Sequence, residues 1–406
     1  RVANSGISVP ANPQAVSIGE EVEFQLEALI PVAQLRDFII RDELPIALSC
    51  TEAPTINLNA PPYDAAGFVP GGTIVPTCTD TLVEWNFGDQ TVTMSNRMDR
   101  RFEFNVQFVT RVDNLLGTQD GDMIRNGGAS TVTEVRYVNE TLTPVVLAIG
   151  EAALLVREPR LDLATTFSVL EADAGDIPRV TVTATNSGNA TAYNPRFLDD
   201  LTGVEFTYRG DIQGANPPTD DVVTRGPNQP IFSWPLGMAI LPGDSISFSF
   251  ALEVDGTVEP ERLLPNTIQA AWTSLPGQAT SLNPSGMLGP DGSPTGMRIG
   301  ALPNAADPLN NYESTVSESL PVSAVQVEKT DLAPTQAPEI GSHRDFEIQL
   351  LLPEGITRNI VVNDALDSGS ASYFLAHNAN YDITYVFEGL VDINGATPDE
   401  AAFLAV

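Results

Sequence analysis

Lysine is nearly missing from this chain. One lysine, Lys329, stands among 406 residues, and every other basic side chain is an arginine. Basic residues number 20 against 53 acidic ones, for a formal net charge of −33. Such a surface repels nucleic acid and anionic lipid, which excludes a nucleic-acid-binding protein. Histidine is scarce too, and His343 and His377 lie in no metal-ligand spacing and beside no nucleophile motif. There is no G-x-S-x-G, no H-E-x-x-H and no phosphate loop, so nothing points to an enzyme. No apolar run reaches ~18 residues, so no segment reads as a membrane-spanning helix. The first residues, RVANSGISVP, have no apolar signal core, and the last, EAAFLAV, close on no motif. Both ends read as cut from something longer.

Cysteine occurs only as Cys50 and Cys78. In a secreted protein the two would close a disulfide; the plainer alternative is two buried thiols. What is plentiful is turn chemistry, with 31 glycines and 32 prolines spread along the chain. Apolar residues make up 42%, enough for real cores. Short strands joined by turns follow from that mixture. The acidic surface suits salty water, where self-repulsion is screened. It also attracts divalent cations, and hard oxygen ligands suit Ca²⁺.

The sequence repeats itself. Residues 18–44, IGEEVEFQLEALIPVAQLRDFIIRDEL, align without a gap to residues 340–366, IGSHRDFEIQLLLPEGITRNIVVNDAL. A middle copy opens at Gly175, where Val180, Val182 and Ala184 match Phe24, Leu26 and Ala28. Asp199, with Asp200 beside it, Asp42 and Asp364 fall at one copy-matched position, where a carboxylate would bond turn amides. A second element recurs: Trp85 in LVEWNFG and Trp234 in IFSWPLG, each followed by a strand-like run, RFEFNVQF or ISFSFALEV. An Asn-led segment follows each, at Asn126 and Asn266. Period-two alternation of Val, Phe, Thr and Ile marks half-buried strands. Trp85 and Trp234 read as core anchors, against the alternative of exposed ligand platforms.

The segment GDIPRVTVTATNSGNATAYNPRFLDDL, with SWPLGMAILPGDSISFSFALEV, LPNTIQAAWTSLPG and LNNYESTVSESLPV, resembles the "conserved repeat" domain of bacterial surface proteins. The whole is similar to fimbrial and adhesin proteins described as isopeptide-forming. That resemblance implies immunoglobulin-like sandwiches displayed outside the cell. It also implies an intramolecular bond between a lysine amine and an Asn or Asp side chain, which needs a lysine that residues 1–322 do not have. Only Lys329 stands where such a lysine could react, and its plainer role is a surface side chain.

The expected fold is all-β: tandem immunoglobulin-like β-sandwich domains in an elongated array. Residues 1–152 form the first, 153–322 the second and 323–406 an incomplete third. Residues 143–156, TPVVLAIGEAALLV, read as the junction. A loop bearing Asp113, Asp120, Asp122 and Asn126 is the candidate Ca²⁺ site; it lacks the EF-hand pattern, and its plainer reading is a solvated acidic loop. Sequons at Asn139 and Asn189 leave glycan attachment open. The expected function is an extracellular fibre or stalk whose partners are copies of itself or neighbouring domains. The rival readings are an adhesin stalk with its binding tip elsewhere and a surface-layer lattice protein.

Overall fold

The computed structural model describes residues 2–4, 13–57, 74, 76–93, 98, 101–128, 130–138, 144–148, 151–222, 228–277, 296–305, 307–332, 334–335 and 345–362. Among the described residues every regular element is a strand, and no helix is long and apolar enough to cross a membrane. Residues 1–357 cluster as one unit and 358–406 as another, of which only 358–362 are described.

Two modules share one plan. In the first, strand Glu21–Pro31 pairs antiparallel with Arg101–Val112, setting Phe24 opposite Phe108 and Leu26 opposite Val106. In the second, Arg179–Asn186 pairs with Ser245–Val254, setting Val180 opposite Phe250 and Val182 opposite Phe248. The copies seen in the sequence are therefore copies in register, which period-two alternation requires once one face is buried. The facing sheet repeats as well. Gln34–Glu43 lies between Leu82–Thr91 and Thr133–Val138. Ala192–Asp199 lies between Ile231–Ser233 and Leu263–Thr273. Gly19 and Gly175, at φ of 87° and 83°, turn the chain into the matched strands, a backbone region that only glycine enters without strain.

Aromatic side chains join the sheets across each core. Phe108 lies 5.3 Å from Phe24 and 6.0 Å, edge-on, from Trp85 of the facing sheet. Phe248 lies 5.3 Å from Phe197 and 5.6 Å from Trp234, again across the sheets. Trp85 is fully buried and Trp234 is 9% exposed. Burial of such a ring contributes at least ~1.5–3 kcal/mol.

The cores divide cleanly, one running from Val16 to Val156 and the other from Leu161 to Val322. This moves the expected boundary at 152, and residues 143–156 are not the junction. Strand Pro144–Ala148 pairs with Thr133–Val138. Strand Ala152–Val156 lies between Met123–Asn126 and Gln14–Val16, where Leu154 and Val156 fill the first core. The linker is residues 157–160. Of the expected third domain, the structure describes the antiparallel pair Gln326–Asp331 and Phe346–Leu351, with Val327, Phe346 and Leu351 exposed.

Candidate functional site

Alternation that buries Phe38 and Ile40 carries the inward row of Gln34–Glu43 on to Asp42. The same logic on Ala192–Asp199 places Asp199 inward after Phe197. Asn126 follows Ile124 on the core face of Met123–Asn126, and Asn266 follows Leu264 on that of Leu263–Thr273. Each module thus directs a copy-matched carboxyl and amide into its interior, and the two meet. Asn126 Nδ2 donates to Asp42 Oδ2 at 2.7 Å. Asn266 Nδ2 donates to Asp199 Oδ1 at 2.7 Å. Asp42, Asp199 and Asn266 are fully buried and Asn126 nearly so. The expectation of bonding to turn amides holds for Asp200, which accepts from Thr202 N at 3.2 Å, and is corrected for Asp42 and Asp199, whose donors are side chains inside the sandwich.

The two pairs differ in one respect. In the first module the Thr133 hydroxyl donates to the second carboxyl oxygen of Asp42. In the second, Asp199 Oδ2 and Asn266 Oδ1 are buried with no partner. Burial disfavours the charged carboxylate and hydrogen bonds favour it. Burial therefore pushes Asp42 up to about 6, against the opposing bonds from Thr133 and Asn126. It pushes Asp199 further, to about 8, with Asn266 alone opposing and Asp200 adding repulsion. Asp199 is thus a neutral acid through most of the range around pH 7. Its protonated oxygen is a donor, the group that an unpartnered amide oxygen needs.

The remaining predicted residues lie apart. Asp113 is buried and accepts from Ser49 Oγ at 2.8 Å; burial raises its pKa. Asp120 accepts from the Glu158 backbone at 3.1 Å and from Asn189 Nδ2 at 3.0 Å. Asp122 accepts from the Gln119 backbone at 2.7 Å, and Asn126 serves Asp42. These four do not converge, and among the described residues no three His, Cys, Asp or Glu side chains gather to hold a metal. Asn189 of the second sequon is bonded to Asp120, while Asn139 of the first lies outside the described residues.

Cys50 and Cys78 are joined in a disulfide. Cys50 ends a strand paired with Arg101–Val112 in one sheet, and Cys78 ends a strand paired with Leu82–Thr91 in the other. Lys329 lies opposite Ile348 with its ammonium 4.8 Å from the centre of the Phe346 ring. Ile348 is copy-matched to Val182, whose cross-strand neighbour is Thr165. Lys329 therefore occupies the register position of Thr165, a residue 7% exposed whose hydroxyl has no hydrogen-bond partner. Asp364, the third copy-matched acid, lies outside the described residues.

The turn motif that carried the family resemblance has a physical basis. Asn186, fully buried, donates to the Ala190 and Ile240 carbonyls, each at 2.8 Å. It accepts from the Arg160 and Gly188 amides at 3.2 and 3.0 Å. A Cβ on Gly188 would lie 2.4 Å from Arg160 N, so only glycine lets the linker pass. Sequence reasoning found the aspartates and the asparagines as separate copy-matched positions but did not join them. Their recurrence in both copies was the signal.

No protein-family model matches the sequence, and no curated protein sequence matches it. Several solved structures resemble parts of it. The major pilin BcpA of Bacillus cereus is 12% identical, with a TM-score of 0.27 over 63% of this chain and 54% of the pilin. The major pilin SpaD of Corynebacterium diphtheriae is 12% identical, with a TM-score of 0.25 over 73% of this chain and 63% of the pilin. The collagen adhesin of S. aureus is 12% identical, with a TM-score of 0.18 over 67% of this chain and 86% of the adhesin. The chain thus spans little more than half the length of BcpA, and superposition at these scores assigns it no activity.

Proposed function

We propose that this chain is a structural segment of an extracellular fibre or stalk at a microbial cell surface. The carrying observation is that two consecutive modules share strand register and a buried Asp–Asn pair, and abut through residues 157–160. Serial copies of one sandwich add length, which is the use to which repeat architectures are put. A disulfide bridging the two sheets of the first module fits an oxidising compartment. An acidic surface fits display into solvent without adhesion to nucleic acid or anionic lipid. In this reading the chain bears load and spacing and performs no chemistry.

Antibody raised against the purified chain, applied to intact producing cells and imaged by electron microscopy with gold, tests this reading. Gold on the cell surface is the expected result. Labelling that appears only after the cells are lysed would overturn it.

A further inference from the structure

We propose that the two modules are locked into one rigid body by Arg298, which plugs from the second module into a socket made by the first module and the linker. The lock stands whether or not the chain serves as a surface fibre.

Arg298 lies between strands Leu263–Thr273 and Glu313–Pro321, and it is fully buried. A guanidinium has five N–H donors in a fixed plane. All five are matched. Nε donates to Asn114 Oδ1 at 2.7 Å. Nη1 donates to Glu158 Oε1 at 2.7 Å and to Gln119 Oε1 at 3.4 Å. Nη2 donates to the carbonyls of Leu115 at 2.8 Å and Thr118 at 3.1 Å. Four acceptors belong to the turn that follows Arg101–Val112 in the first module; the fifth is the linker carboxylate. A buried arginine is tolerated only when paired and fully hydrogen-bonded, and here both modules are needed to satisfy it.

The surroundings fasten the same joint. Ser274 of the second module donates to the Ile18 carbonyl at 2.6 Å and accepts from the Arg298 amide at 2.9 Å. Asn114 Nδ2 donates to the Leu309 carbonyl at 2.8 Å. Tyr312, stacked on Trp272 at 5.8 Å, donates its hydroxyl to Glu158 Oε1 at 3.0 Å. The linker itself is bonded on both sides. Arg157 N donates to the Val16 carbonyl at 2.8 Å, and the Glu158 carbonyl accepts from Asn189 N at 2.9 Å. Free motion between domains is the default for a small, wet contact; a joint that gives every N–H of a buried guanidinium a partner is the opposite case.

Hydrogen exchange of the full chain, read by mass spectrometry, tests the lock. Arg298→Met keeps the bulk of the side chain and removes all five donors. Exchange at residues 115–119 should rise about tenfold or more, the factor expected from losing charge-assisted bonds there. The strands of both cores should stay protected. Calorimetry should then resolve two unfolding transitions in the variant where the wild type shows one. Should Arg298→Met fail to fold, Glu158→Gln, which preserves shape and removes the charge, is read the same way. Unchanged exchange at 115–119 together with an unchanged single transition would overturn the proposal, as would two transitions already present in the wild type.

Discussion

A carboxyl group that is neutral near pH 7 makes stability depend on pH in an unusual direction. Asp199, raised by burial to about 8 from an ordinary 3.8, binds its proton more tightly folded than unfolded. Its contribution is therefore fully present below the ordinary value and fades as pH climbs to about 8. Asp42, raised to about 6, fades earlier. Between about pH 6 and 8 Asp199 gives up that contribution, so the thermal midpoint of the chain should fall with rising pH. Asp199→Asn, which cannot ionise, should flatten that slope; a slope unchanged in the variant would remove Asp199 as its source. Gly188 offers a second test at this scale. A methyl there would meet Arg160 N at 2.4 Å and Glu158 O at 2.5 Å. Gly188→Ala should cost ~1–3 kcal/mol in chemical denaturation, because backbone rather than a side-chain tip must move.

Among the strands, legibility followed locality. Val180, Val182 and Ala184 alternate within five residues, and the strand they predict is present as Arg179–Asn186. Elements that depend on distant chain were harder. In the second module Leu263–Thr273 is one continuous strand. In the first, Gly127 and Gly128, at φ of 89° and 67°, divide the equivalent run into Met123–Asn126 and Thr133–Val138. Apolar residues in Ala152–Val156 look alike whether they close a module or join two, and only the parallel pairing with Gln14–Val16 decides. The Asp–Asn pairs span 84 and 67 residues, beyond any local period. Arg298 carried no sequence signal, since an arginine between strands ordinarily faces water.

At the scale of the whole chain, a net charge of −33 presses outward on every module. Raising sodium chloride from about 0.02 to 0.5 M shortens the reach of that repulsion from roughly 20 Å to a few ångströms. The thermal midpoint should rise accordingly, and a fall would show that the acidic surface is not self-repelling in the folded state. Mechanical behaviour follows from the disulfide across the two sheets. Cys50 and Cys78 stand 28 residues apart, so a pull on the two ends cannot draw out the loop they close. At ~3.4 Å per extended residue, about 90 Å of contour stays sequestered while the bond holds. Stretched singly in an optical trap, the reduced chain should lengthen by about that amount more than the oxidised one. The covalent staple therefore sets how far this protein can be drawn out, and ties its reach under tension to the redox state of its surroundings.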